Sequence, residues 1–115
     1  MLFCLTANFT PEALNTQIED PPDRRAVAER LINAAGGELV AMYGTIAEGP
    51  GVLVIFDADP DMVAAISGVA AAAGSMQDVK VQRLLSMEEL FGSAYRDLTY
   101  ATFMPTVKRE PEGDA

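Results

Sequence analysis

From Leu2 to Phe9 the chain alternates, with Phe3, Leu5, Ala7 and Phe9 on one side and Leu2, Cys4, Thr6 and Asn8 on the other. A period of two is that of a half-buried strand, so the spacing predicts a strand with a drier and a wetter face. Thr10-Pro11 breaks it. A polar stretch then runs through Glu19-Asp20-Pro21-Pro22-Asp23, whose prolines forbid a strand and suit the opening turn of a helix. Asp20 is the expected N-cap. Val27, Leu31 and Ala35, with Ala28, Ile32 and Ala34 beside them, then recur at helical spacing, and Gly36-Gly37 supplies the left-handed stop.

Two strand-like runs follow, Glu38 to Ile46 and Val52 to Asp57, separated by Ala47-Glu48-Gly49-Pro50-Gly51, a turn signal that reads as a hairpin. Val52-Leu53-Val54-Ile55-Phe56 is apolar at every position, which predicts a central strand covered on both faces. Asp57-Ala58-Asp59-Pro60-Asp61 places acids and a proline where a helix begins, as first-turn N–H groups and the helix dipole favour. The helix from Asp61 to about Ala73 has no charge after Asp61, and a helix without a polar face is expected to be buried on more than one side. Gly74-Ser75 ends it. Asp78 to Leu85 reads as a last strand, with Val79 and Val81 on one side and Lys80 and Gln82 on the other. Ser86-Met87-Glu88-Glu89 opens a short helix through Leu90 and Phe91 toward Tyr95. Thr99 to Phe103 has strand-like composition, and an acidic tail with Pro105 and Pro111 follows.

The order strand, helix, strand, strand, helix, strand is the split βαβ pattern of a ferredoxin-like α+β sandwich, with an extra C-terminal helix and tail. At 115 residues there is room for one such domain, residues 1–97, and an extension, 98–115.

Composition narrows the functional classes. Seventeen acids against eight bases give a net charge of -9, which repels phosphate backbones and anionic lipid headgroups. The bases never cluster with aromatics, so neither nucleic acid nor membrane is an expected partner. Cys4 is the single cysteine, which forbids an intrachain disulfide and makes a reducing cytoplasm the expected compartment. No secretory signal is read at the start, and the weakly polar run from Met62 to Gly74 is too short to span a bilayer. Histidine and tryptophan are both absent, which removes the commonest general base and the commonest zinc ligand together.

Several pieces, in order and spacing, resemble the GYD domain family over roughly residues 1 to 91. They are Asn8-Phe9-Thr10, the helix opening Pro22-Asp23-Arg24-Arg25-Ala26-Val27-Ala28 through Leu31, and Gly36-Gly37-Glu38-Leu39 with Tyr43 and Thr45. The run Val52 to Asp57 with Ala58-Asp59-Pro60-Asp61, and Arg83-Leu84-Leu85-Ser86 with Glu88 and Glu89, complete the set. At the hairpin the family's naming tripeptide is replaced by Glu48-Gly49-Pro50-Gly51, so no role of that tripeptide carries over. The resemblance implies a ferredoxin-like fold of the dimeric α+β barrel type and self-association. It brings no activity with it.

Candidate chemistry is sparse. Asp57, Asp59 and Asp61 alternate, but Pro60 interrupts them and neither the glycine nor the terminal glutamate of a calcium loop follows, so capping is preferred to metal. Cys4 has no histidine to activate it and reads as a small hydrophobe. Gly49-Pro50-Gly51 joins two strands and feeds no helix, which makes it a turn and not a phosphate cradle. The remaining set is Asn8, Tyr43, Thr45, Lys80 and Arg83, polar groups on otherwise apolar strands. They are the candidate ligand-binding residues of a cavity between two facing sheets; the plainer alternative makes Tyr43 and Thr45 a surface pair and Arg83 a solvated cation. Two functions follow. One is a homo-oligomeric barrel subunit that binds a small apolar or aromatic molecule, with no cofactor and no catalysis of its own. The other is a cofactor-independent monooxygenase- or isomerase-like enzyme in which Tyr43, Asn8 and Arg83 polarise a carbonyl or relay a proton. An adaptor role for the tail is a third expectation.

Overall fold

A computed structural model describes residues 1–19, 23–92 and 97–98. The chain divides after Leu84 into two units. The first holds β1 (Leu2–Phe9), α1 (Pro11–Glu19), α2 (Arg24–Ala34), β2 (Glu38–Ile46), β3 (Pro50–Asp57), α3 (Pro60–Ala72) and β4 (Met76–Leu84). The four strands form one antiparallel sheet in the order β2-β3-β1-β4. That is the ferredoxin-like arrangement, with β3 central as its unbroken apolar run requires.

The sheet has two different faces. Phe3, Leu5 and Ala7 of β1 and Val52, Val54 and Phe56 of β3 are buried together with Ile32 of α2 and Ile66 of α3. The Phe3 and Phe56 rings, cross-strand partners, stack with centroids 5.9 Å apart. This is the core. Each strand turns its alternate residues away from it, as the pleat dictates.

Local signals explain most boundaries. α1 occupies the segment after the Thr10-Pro11 break, to which the pattern assigns no element: Thr10 caps it, its Oγ1 accepting from the Ala13 N–H at 3.2 Å, and Pro11 occupies the first turn. Threonine-proline was the legible sign, masked by a segment with few apolar residues. The cap of α2 is Asp23, whose carboxylate accepts from the Ala26 N–H at 3.1 Å; Asp20 lies outside the described residues. Gly36, at φ 80°, closes α2: its N–H donates to the Asn33 carbonyl and that of Gly37 to the Ile32 carbonyl, both at 2.9 Å. β4 begins at Met76, ahead of the expected Asp78. Asp78 itself stands at φ 56° in a bulge that shifts the register on β1 between Thr6 and Asn8.

α3 departs from its expectation. Ile66 alone is fully buried, while Val69 is 54% exposed and Met62 36%. Packing on one sheet buries a narrow seam, Ile66 with Val63 and Ala70 beside it, and the alanines elsewhere on the helix face out. Those alanines serve helix propensity and not burial. Asp59 is its N-cap residue without a side-chain cap bond, and Asp61 is the acid in the first turn.

In the second unit α4 (Met87–Leu90) carries a complete capping box: Ser86 Oγ accepts from the Glu89 N–H at 3.0 Å, and Glu89 Oε1 accepts from the Ser86 N–H at 2.9 Å. The helix stops at Leu90, short of Tyr95. Tyr95 and the run Thr99 to Phe103 lie outside the described residues.

Candidate functional site

Strand register assigns the sequence-selected polar groups to faces. Cys4, Thr6 and Asn8 of β1 stand opposite Ile55, Leu53 and Gly51 of β3, which in turn oppose Ala41, Tyr43 and Thr45 of β2. Across β1, Thr6 meets Lys80. Asn8, Tyr43, Thr45 and Lys80 therefore share the face turned away from α2 and α3. Arg83 does not join them: it pairs with Phe3, a core residue, and so belongs to the helix side of an edge strand, where it is exposed.

At one end of this far face the backbone is tightly built. A Cβ on Gly51 would collide with the Ala7 carbonyl oxygen, lie 2.6 Å from Asn8 Oδ1 and reach 3.0 Å from Thr45 Oγ1. Glycine is thus required for the close approach of β1, β2 and β3. Asn8 Nδ2 donates to the Ala47 carbonyl at 3.2 Å, tying the first strand to the hairpin turn, where Glu48 and Gly49 adopt φ of 58° and 124°. Asn8 and Thr45 form one polar corner. Leu53 and Ile55 make an apolar centre, only half-buried, and Tyr43 beside them is 61% exposed.

Cys4 sits on the same face, buried, yet outside the main core cluster. Burial pushes its thiol pKa up, which disfavours the thiolate and any nucleophilic role at neutral pH. At the opposite end of the sheet from the hairpin turn, Asp57 Oδ1 accepts from the Met1 ammonium at 2.8 Å. Among the described residues, no three His, Cys, Asp or Glu side chains come together as a metal site. Nor is any helix among them long and apolar enough to cross a membrane.

The helix side contains a concavity that sequence reasoning missed. A cavity of about 200 Å³ lies between α2, α3 and the sheet, floored by Leu5, Val52, Val54 and Phe56 and walled by apolar residues of both helices. Two polar residues line it, Arg24 and Ser75, with Arg24 Nη2 donating to Ser75 Oγ at 3.4 Å. The Arg24 guanidinium also lies over the Phe9 ring, 5.0 Å from its centroid. A signal existed: Arg24, Val27, Ala28 and Leu31 follow helical spacing, so an arginine heads an otherwise apolar helix face.

Comparison with curated proteins finds no match. The family model for the GYD domain matches residues 3–92, from the second residue of β1 to just past α4. With the strand order, the hairpin and both crossover helices inside that span, the chain belongs to the GYD domain family.

Proposed function

We propose that this GYD domain protein is a subunit of a homo-oligomeric α+β barrel, in which the far faces of two sheets meet and enclose a small-molecule site, without catalysis by the chain's own groups. The observation that carries this reading is the charge pattern of that face. In a chain of net charge -9, the outward residues from Cys4 to Asn8 and from Gly51 to Ile55 on the central strands include no ionised group at neutral pH, and the acids of the face, Asp57 of β3 and Glu38 opposite it on β2, stand at one end, where Asp57 meets the Met1 ammonium. Tyr43 and Thr45 flank the uncharged positions on one side and the single cation Lys80 on the other. Two copies can approach there without the like-charge repulsion met elsewhere. The size also fits. Four strands about 4.8 Å apart and eight residues at about 3.3 Å each give a face of roughly 500 Å² in projection, the scale of a standard interface with about 800 Å² of accessible surface per partner.

The enzyme alternative needs Tyr43, Asn8 and Arg83 around one substrate, and the placement of Arg83 on the opposite face of the sheet counts against it. Cytoplasmic residence and the absence of nucleic-acid or membrane partners belong to the same proposal, resting on the lone cysteine and the acidic balance. Native mass spectrometry of the full chain, taken from its source cytosol, tests it. The expected spectrum is an integer multiple of 12.3 kDa, with a reproducible added mass that is lost in Tyr43→Ala while the oligomer persists. A bare monomer at micromolar concentration overturns the assembly.

A further inference from the structure

The cavity on the helix side of the sheet stands apart from the proposed oligomer face. Its lining is apolar except at Arg24 and Ser75. Three alanines, Ala28 of α2 and Ala70 and Ala73 of α3 and its C-cap, line it where larger side chains would fill it. An empty apolar void costs stability because its lining loses packing partners, and an occupant restores them. Apolar cavities of about 150 Å³ take up benzene, with six carbon atoms, so one of about 200 Å³ has room for roughly eight.

Arg24 says what the other end of the occupant must be. Its guanidinium is half-buried, held between the Phe9 ring and the Ser75 hydroxyl, and among the described residues no carboxylate lies within ion-pairing distance of it. The neighbouring Asp23 carboxylate is engaged with the Ala26 N–H. A pre-oriented guanidinium beside a hydroxyl is a receptor for a carboxylate, which it can bind through two parallel N–H groups. The chain's other acids act only over short range, since the Debye length is about 8 Å at physiological salt.

We propose that this cavity is a binding site for a compact monocarboxylic acid, its apolar body between α2, α3 and the sheet and its carboxylate on Arg24 and Ser75.

The test is methyl NMR of the full chain titrated with octanoate and, separately, with octan-1-ol, which has the same tail without the charge. Octanoate is expected to shift the methyl signals of Val27, Leu31 and Val69 saturably, with a dissociation constant below about 1 mM. The alcohol is expected to bind about tenfold more weakly. Arg24→Gln, checked for native fold by circular dichroism, brings octanoate down to the level of the alcohol and leaves the alcohol unchanged. Ala70→Phe fills the cavity and removes both. The absence of saturable shifts, equal binding of acid and alcohol, or retention of binding in Ala70→Phe would each overturn the proposal. So would helix-side shifts that follow protein concentration instead of ligand, because a second copy would then be what covers the cleft.

Discussion

The two faces of the sheet are built from the same strands, one almost wholly apolar and the other mixing Leu53 and Ile55 with Thr6, Asn8, Thr45 and Lys80, and they differ in what completes them. Toward α2 and α3, Phe56 is fully buried and Val52, Val54 and Leu5 nearly so. On the other face Leu53 and Ile55 occupy the intervening positions of the same strand and remain half-exposed. Burial of a large side chain stabilises by roughly 1.5–3 kcal/mol. The helix face therefore collects this energy within one chain, and the far face can collect it only from another body. Under the proposed assembly the doubly apolar run of β3 signals two burials, of which the fold of a single chain accounts for one.

Substitutions separate the two faces, beginning with the largest effect. Phe56→Ala empties the centre of the core and is expected to cost about 3–5 kcal/mol in denaturant unfolding, at any protein concentration. Leu53→Ala, by contrast, should lose more stability in concentrated than in dilute protein if its cover is intermolecular, as in the proposed assembly. Gly51→Ala drives a methyl into the Ala7 carbonyl and the Asn8–Thr45 corner, with an expected loss of about 1–3 kcal/mol in the same assay. Asp78→Val, a β-branched residue forced to positive φ at the bulge, should cost about 1–2 kcal/mol, whereas Asp78→Gly should be neutral or stabilising.

Charge reversals sharpen the contrast with little change in monomer stability. Lys80→Glu adds an acid to the far face and should weaken assembly in sedimentation velocity, while Arg83→Glu, on the helix side of the same strand, should not. Each is expected to alter monomer stability by less than about 0.5 kcal/mol. The smallest effect is a pH dependence. Because burial raises the Cys4 pKa in the folded chain, the unfolded chain ionises first; stability is full below the ordinary thiol value of about 8.5 and falls as pH rises above it. Cys4→Ala should flatten that alkaline slope in unfolding curves measured as a function of pH.

Strand patterning made β1, the β2–β3 hairpin and the central place of β3 legible, because period two and a Gly-Pro turn act over a few residues. α1 was hidden since its apolar stripe is reduced to Leu14 and Ile18 behind a Thr-Pro cap, and the exposure of α3 was hidden because alanine serves helix formation and burial alike. Of the five candidate site residues, four share a face, and the bulge at Asp78 shifts the register between Asn8 and Lys80, which no periodicity would reveal. The helix-side cavity needs two helices held apart over the sheet, a tertiary distance that spacing along one helix does not contain. Its one sequence trace is Arg24 at the head of the Val27, Ala28 and Leu31 face.

Whether a second copy covers the far face is tested most directly at Tyr43, which is 61% exposed in the single chain. Hydroxyl-radical footprinting of the full chain across a dilution series reads that exposure, with Leu53→Lys as the reference that cannot pair. Tyr43 is expected to be protected at micromolar concentration, unprotected on dilution, and unprotected at every concentration in Leu53→Lys. Equal reactivity of Tyr43 in both proteins at all concentrations would contradict the proposed assembly.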